Sequence, residues 1–433
     1  MDPVIIGFIG IIASISGLLI GLPIAAVMGL VSVGGMAAIG GWKTSFGMIA
    51  ITSFKEATSY DFAAVVLYMT VGTIAHESGM ADYLFDALTK WFGRLRGGLM
   101  MATTIAAAFF GACSGSSIAS CALFGKLAVP KMLDRGYNPA LATGCVAAAG
   151  TLAVLIPPSG MLILYGILTQ QSIGHLFIAG LLPGIINTVL YLFIISGTSF
   201  LRRDLVPEPV KFSWSEKWAS TGKAWPPPLI GLFIIVSLYT GIATPTEIAG
   251  LGAFFSLITA LLYRGVRGAR IWESMIETAR QGAMILLIVI AAKMFGRFLA
   301  LSQITPWIVD WVNGLSMSRG SILFLLIIIY VIAACIIDAL SLAVVSIPIV
   351  YPLILSLGYD PIWFGVILTE LVEIAVLTPP VGMNVFVTKT VVGDLVSLQD
   401  VFKGTLVFAI ANFVLLTLMI FFPEIVLFLP RRM

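Results

Sequence analysis

Two pairs of adjacent prolines, Pro157-Pro158 and Pro379-Pro380, interrupt the apolar runs 140–168 and 362–391. Each pair removes two backbone N–H donors and stops a helix. The carbonyls freed in this way are costly in apolar surroundings unless they line a cavity or meet a cation. A second element carries hydroxyls: GACSGSS at 111–117 groups Ser114, Ser116 and Ser117 among small residues. Hydroxyls and open backbone are hard oxygen donors suited to a small cation, although small residues also serve close helix packing. A third is Asp338, a lone carboxylate deep in AACIIDA at 333–339. An acid in such a place marks an ion or solute path, or caps a helix N-terminus.

Other reactive residues give weaker signals. Lys293 and Arg297 are spaced i, i+4, and Glu370 and Glu373 i, i+3, so each set shares a helix face. A structural ion pair or snorkelling at an interface is the leading reading, with an anionic solute facing the two cations as the alternative. Cys113, Cys121, Cys145 and Cys335 form no C-x-x-C pair and read as small buried hydrophobes. The only two histidines, His76 and His175, fall at span ends and make a zinc or haem site improbable. Glu247 in TPTE (244–247) reads as a helix start. No G-x-x-x-x-G-K-[ST] pattern supports ATP drive. A rival from another class is an intramembrane serine protease, with Ser114 as nucleophile and His175 as base. It explains neither the proline pairs nor the duplication described next.

The elements that position these residues are apolar helices. Of 433 residues, 59% are apolar and 10% charged, against roughly 25% charged for a soluble domain. That excludes an ordinary soluble enzyme, and a net charge of +3 gives no field for nucleic acid. The runs predict about ten to twelve membrane spans plus two hairpin-like segments. The two halves match at one constant offset of 222 residues. PKMLDRGYNP at 130–139 answers PLILSLGYDP at 352–361, and PPSGM at 157–161 answers PPVGM at 379–383. Several anchors at one offset indicate duplication. The same offset takes Ser114 and Ser116 to Ile336 and Asp338. Broken helices at matching places in two repeats are the best pointer to an ion and solute site.

The expected organisation follows. Scaffold helices occupy 1–60. A first repeat spans 61–201, with a hairpin at about 113–130 and a broken helix at 140–168. A polar interfacial connector covers 202–227, with Trp214, Trp218 and Trp225 suited to a membrane surface. Scaffold helices follow at 228–282. A second repeat spans 283–422, with a hairpin at about 336–356 and a broken helix at 362–391, and a tail occupies 423–433. The first twenty residues lack Lys and Arg and the chain ends Arg431-Arg432-Met433. The positive-inside rule then predicts an outer N-terminus, an inner C-terminus and an odd number of spans.

Together these pieces resemble the large membrane (DctM-like) subunit of tripartite ATP-independent periplasmic (TRAP) transporters, over nearly the whole chain. The motifs are GRLRGG (93–98), GACSGSS (111–117), the block from GYNP to PPSG (136–160), HLFIAGLLPG (175–184), TPTE, Asp338, YDP (359–361) and TPPVGMN (378–384). The resemblance implies an all-α polytopic fold with inverted repeats and an elevator-type, sodium-driven transporter of organic acids, not an enzyme. It places the chain in the bacterial inner membrane. It implies three partners besides the lipid bilayer: a small four-helix membrane subunit, a periplasmic substrate-binding protein and a carboxylate solute. Na+ is the co-transported ion. One sodium site would use Ser114 and Ser117 with carbonyls near Ala153, Ile156 and Pro158. The other would use the stretch before Asp338, with Ala375, Thr378 and Val381. Solute would sit near Ser116, Gly160, Gly382 and Asn384. A stand-alone sodium-coupled anion carrier is the alternative. This chain departs from the family pattern with Ser120-Cys121 where an acid is common, Ala153 where Gly is common, and charges at Lys293 and Arg297.

Overall fold

The computed structural model describes residues 2–264, 268–334 and 336–433, and they form α-helices joined by short turns. Cys335 lies outside the described residues; Cys113, Cys121 and Cys145 are buried free thiols. Seven helices, counting 139–169 across its break as one, are long and apolar enough to cross a membrane, and Pro3–Leu19, Gly98–Ser114 and Arg319–Ala334 are shorter apolar helices.

The duplication is structural as well as sequential. In the first repeat, Tyr60–Glu77 leads to a short helix Met80–Phe92, then Gly98–Ser114 and Ser117–Asp134, then the broken pair Pro139–Leu155 and Gly160–Thr169, then Ile173–Leu201. The second runs Gly268–Leu301, Ile304–Asn313, Arg319–Ala334, Ala339–Ser356, the broken pair Pro361–Ala375 and Met383–Val392, then Leu398–Phe421. Local chemistry repeats with the elements. Asn138 and Asp360 cap the first halves of the broken helices, with Pro139 and Pro361 in the first turn, where a missing N–H costs nothing. Gly136 and Gly358, both at positive φ (82° and 74°), end the preceding arms. Both Pro-Pro bonds are cis.

Two boundaries differ from the sequence reading. The first hairpin was expected at about 113–130. Here the turn is only Gly115-Ser116, so Gly98–Ser114 is its first arm and Ser117–Asp134 its second. Likewise Arg319–Ala334 is the first arm of the second hairpin, and Tyr330 Oη lies 2.6 Å from Ser346 Oγ between the arms. An apolar run of helix length looks the same whether it crosses or turns back. Met80–Phe92 and Ile304–Asn313, which precede the hairpins, escaped sequence reading because they are amphipathic rather than continuously apolar. Within the scaffold segment, Ile24–Ala57 is folded at Gly41 (φ 80°). The fold is sharp: Ser45 Oγ donates to the Val33 carbonyl at 2.9 Å, whereas these residues would be about 18 Å apart in a straight helix.

Contacts fix the direction of each helix. Thr246 meets Tyr60, Leu67 meets Gly250 and Val71 meets Gly252, so Pro245–Arg264 runs parallel to Tyr60–Glu77. Thr73 and Val66 meet Thr278 and Gly282, so Gly268–Leu301 runs antiparallel to it. Met433 lies against Gly174, which also faces Pro245, while Gly7 faces Ser302 and Ile304. Both termini therefore occupy one end of the bundle, and the number of crossings is even. This corrects the expected odd count. The misleading signal was Arg431-Arg432: Arg431 pairs with Glu424 and Arg432 lies 4.0 Å over the Phe428 ring, so both charges are engaged within the tail itself.

The connector lies at the other end. Within it Trp214–Ala224 is a helix started by a Ser213–Glu216 capping box. Hydrogen bonds from the Ser213 hydroxyl and N–H hold the Glu216 carboxyl below its ordinary range. This helix docks on Met80–Phe92 through Trp91 Nε1–H donating to Thr221 Oγ1 at 2.8 Å and through Lys217, 5.5 and 5.0 Å from the Trp91 and Trp214 ring centroids. Trp214, Trp218 and Trp225 remain exposed.

Candidate functional site

The first hairpin turn sits on the first helix break. Gly115 takes positive φ (61°), and its carbonyl accepts the Gly160 N–H at 3.2 Å. A Cβ at Gly115 would lie 2.6 Å from the Pro158 carbonyl oxygen, and one at Gly111 would lie 2.5 Å from Ala153 Cα. Only residues without side chains allow this approach. Ser116 caps the second arm, its hydroxyl accepting the Ala119 N–H at 3.3 Å. The buried hydroxyl of Ser114 has no hydrogen-bond partner among the described residues. Ser114, Ser116, Ser117, Ala153, Pro158 and Gly160 are thus gathered round one turn, while Ile156, at the end of Pro139–Leu155, packs under Gly184.

In the second repeat Asp338 occupies the place of Ser116 and performs the same capping, its Oδ1 accepting the Ser341 N–H at 3.0 Å. The capping reading of Asp338 therefore holds, and the residue also lines a cavity. Thr378 turns its hydroxyl back to the Ile374 carbonyl at 3.0 Å, and the Asn384 N–H closes the break onto the Val376 carbonyl at 3.1 Å.

The two sets meet at a cavity of about 1010 Å³. Ser114, Ser116, Ser117, Pro158, Gly160, Asp338, Ala375 and Val381 line it. Ala153, Ile156, Thr378, Gly382 and Asn384 do not: Gly382 packs on Phe402, and Asn384 is fully buried, donating Nδ2–H to the Ala147 carbonyl at 3.2 Å. The opposite wall was not foreseen. It comes from Tyr68, Thr73, His76 and Glu77 of Tyr60–Glu77 and Glu273, Glu277, Arg280 and Gln281 of Gly268–Leu301, the helices that open the two repeats. Glu277 and Arg280 at i, i+3 were a readable sign of a polar face on an apolar helix.

Four helix N-termini open on this cavity: those at Ser117, Gly160, Ala339 and Met383. Each turns the positive end of a helix dipole to the cavity, although part of its first-turn N–H groups is taken up: Gly160 by the Gly115 carbonyl, Ala119 by Ser116, Ser341 by Asp338 and Asn384 by the Val376 carbonyl. On the terminal side the cavity is closed. Tyr68 Oη–H donates to the Pro245 carbonyl at 3.0 Å, and its ring meets Phe177 edge-on at 5.4 Å. Beyond that closure lies a second cavity of about 680 Å³, lined by Lys55, Glu56, Tyr60, Asp61, Gln170 and Thr244. The main cavity therefore faces the connector end only.

Two further expectations can be placed. Lys293 and Arg297 form no ion pair among the described residues; Lys293 lies near Glu56 and Asp61, and Arg297 donates to Met48 Sδ at 3.6 Å. They do not meet Glu370 or Glu373. His175 is exposed at the start of its helix and is absent from the cavity that holds Ser114, so the pair a serine protease would need is not assembled.

The family described as "Tripartite ATP-independent periplasmic transporter, DctM component" matches residues 11–425. The chain belongs to this family. It is 33% identical over 384 residues to the C4-dicarboxylate TRAP transporter large permease protein DctM of Pseudomonas aeruginosa, covering 88% of this chain and 89% of that one. It is 30% identical to the ectoine/5-hydroxyectoine TRAP transporter large permease protein UehC of Ruegeria pomeroyi, covering 84% and 85%. It is 30% identical to the isethionate TRAP transporter permease protein DctMQ of Oleidesulfovibrio alaskensis, covering 90% of this chain and 60% of that longer one. Among solved structures, the YdaH transporter of Alcanivorax borkumensis superposes with a TM-score of 0.61 at 16% identity over 88% of each chain, a likeness of fold. As a TRAP large permease the chain is a multi-pass membrane protein, and its relatives are named transporter permeases.

Proposed function

We propose that this permease takes up a small organic acid across the bacterial inner membrane, driven by sodium. A periplasmic binding protein would feed it and a small four-helix membrane subunit would complete it. The observation that carries this reading is the convergence of four helix N-termini on the cavity between the hairpins and the broken helices. Magnitudes decide what else is needed. Each terminus stabilises an anion by about 0.3–1 kcal/mol. Taking a carboxylate out of water costs on the order of 20 kcal/mol in the idealised low-dielectric limit and several after relaxation. No lysine or arginine of the hairpins or broken helices lines the cavity, and Arg280 on the opposite wall is paired with Glu277, so a bound cation would supply the balance on the moving side. Ser114, Ser117 and Asp338, with the carbonyls near Ala153, Ile156, Pro158, Ala375, Thr378 and Val381, are the oxygen donors for Na+. Ser116 and Gly160 border the solute.

Orientation follows from charge. Lys90, Arg94, Arg96, Lys131, Arg135, Arg202 and Arg203 lie towards the connector end, which makes it cytoplasmic by the positive-inside rule. The main cavity then faces inward. The hairpins and broken helices of the two repeats would move together as an elevator past the Tyr68 closure, which stays with Tyr60–Glu77, to reach the outer cavity.

The test is uptake into proteoliposomes holding this chain, its small subunit and the binding protein, with an inward sodium gradient present or collapsed. Gradient-dependent uptake of an organic acid is expected; uptake indifferent to sodium overturns the reading. Ser117→Ala and Asp338→Ser are expected to raise the half-activating sodium concentration about tenfold, the scale of losing one supporting ligand. Serine at 338 keeps the helix cap, as Ser116 does in the first repeat, so the charge alone is removed. Wild-type sodium curves for both variants would remove these residues from the site.

A further inference from the structure

Behind the wall of the main cavity lies a group of buried polar residues that the proposed transport cycle does not use. Glu370 and Glu373 stand i, i+3 on Pro361–Ala375, 0% and 2% exposed. Neither forms an ion pair among the described residues. Both oxygens of Glu370 and Oε2 of Glu373 lack any hydrogen-bond partner. Tyr191 and Cys121 are the neutral groups beside them, and a polar chain continues from Tyr191. Tyr191, close enough to feel both carboxylates, shares a hydrogen bond with Thr151 at 2.9 Å and donates to Asn412 Oδ1 at 2.7 Å. Asn187 donates Nδ2–H to the same Asn412 oxygen at 2.9 Å, and its own buried Oδ1 is unpartnered. Cys121, next to Thr388, approaches Glu373 from the first hairpin.

Two carboxylates on one helix face, out of water and without a cationic side chain, repel each other and keep their full desolvation cost. Among the described residues four acceptor oxygens lack a donor, two on Glu370, one on Glu373 and one on Asn187, while Asn412 Nδ2–H is an unpartnered donor that adds hydrogen bonds but no charge. Protonating both acids supplies two donors at most. One cation neutralises charge and engages several oxygens at once, and hydroxyl, amide and carboxylate oxygens are the donors that hard cations take. There is an entry path as well, because Glu373 also lines the main cavity. We propose that Glu370 and Glu373, with Tyr191 beside them, form a cation seat for Na+ in the core of the helical repeats, apart from the oxygen donors at the hairpin turns. Its ion would enter from the cavity past Glu373 and ride with the repeats.

In part this rests on the sodium-driven reading, so the test separates the two. Equilibrium binding of 22Na+ to the purified complex, without solute, counts ions per chain. Glu370→Gln is expected to lower that count by one and Glu370→Asp to retain it. In proteoliposomes the ratio of Na+ to solute taken up should fall by one in Glu370→Gln. Elution of the variants as the intact complex excludes a folding defect. Because misfolding would also lower a count, Tyr191→Phe serves as a second probe: it keeps the ring and should weaken 22Na+ affinity at one site only. An unchanged ion count in Glu370→Gln overturns the seat while leaving sodium drive intact. Loss of pH dependence in that variant at constant ion count also overturns it, in favour of a stored proton. If the wild type binds Na+ through Glu370 but sodium does not drive its uptake, the functional reading fails and the seat stands.

Discussion

Gly115→Val is expected to abolish sodium-driven uptake while the chain still reaches the membrane in wild-type amount. Two effects combine at this position. Its φ of 61° is left-handed backbone, which costs a residue with a side chain about 1–2 kcal/mol, and a β-branched one at least that. The larger effect is steric. The added Cβ would stand 2.6 Å from the Pro158 carbonyl oxygen, a backbone atom held at the break between two helix halves. Neither partner can rotate away. The hairpin turn must lift, and the Gly160 N–H loses the Gly115 carbonyl it meets at 3.2 Å. Ser114, Ser116 and Ser117 then leave the positions they hold against the break. A displacement of about 1 Å in a site built on fixed geometry costs on the order of a hundredfold in rate. The initial rate of uptake per unit of membrane-inserted protein measures this. Gly241→Val is the control, since Gly241 also has positive φ (64°) but open space around it. It should show the strain without the loss of uptake. Wild-type transport by Gly115→Val would mean that the turn does not need to touch the break.

What could be read from the sequence was whatever chemistry repeats. The proline pairs, the GYNP and YDP helix starts and the correspondence of Ser116 with Asp338 all lie at one offset, and each has a local cause that needs no tertiary knowledge. The fold class followed from composition. Hidden from the sequence were properties that depend on where a helix lies rather than on what it contains. A hairpin arm and a crossing helix bury similar side chains, so the first arm, Gly98–Ser114, fell outside the hairpin expected at about 113–130. The amphipathic helices before each hairpin expose one face and never form a long apolar run. The scaffold wall of the cavity was missed for another reason. His76, Glu77 and Glu273 belong to helices without breaks or motifs, and only the folded arrangement turns them toward Ser114 and Asp338. Conversely, Lys293 and Arg297 drew attention as charges in apolar sequence but face the folded helix at Met48 and Glu56, away from the site. Residues that make a site by breaking a local rule are visible beforehand, and residues that make it by proximity are not.

The second large effect is expected on assembly rather than on transport. Gly144→Leu and Gly404→Leu should each prevent the folded permease from accumulating. Pro139–Leu155 and Leu398–Phe421 cross with no side chain between them: a Cβ at Gly404 would lie 1.8 Å from the Ala140 carbonyl oxygen, and one at Gly144 would lie 2.2 Å from the Gly404 carbonyl carbon. Small residues at such crossings let helix backbones approach directly, which matters in lipid because there is no hydrophobic drive to hold helices together. Extra methylenes in a packed core typically cost about 1–3 kcal/mol, by repacking of side chains. Here the obstacle is backbone on both sides, so repacking cannot absorb it and the helices must separate. Separation also breaks the buried chain in which Asn412 Oδ1 accepts from Tyr191 at 2.7 Å and Asn187 at 2.9 Å, and the bond from Trp363 Nε1–H to the Met419 carbonyl at 2.9 Å. Each group freed in that way becomes an unsatisfied polar group in an apolar interior. Detergent extracts of fluorescently tagged variants, run on size exclusion, give the readout: the monodisperse peak should vanish for both, even with transport substrates present. Gly197→Leu, on Ile173–Leu201 with nothing near its Cβ, should give the wild-type profile. A normal peak for Gly404→Leu would mean that these helices do not cross in the contact described here, and the polar seat they enclose with Glu370 would have to be placed again.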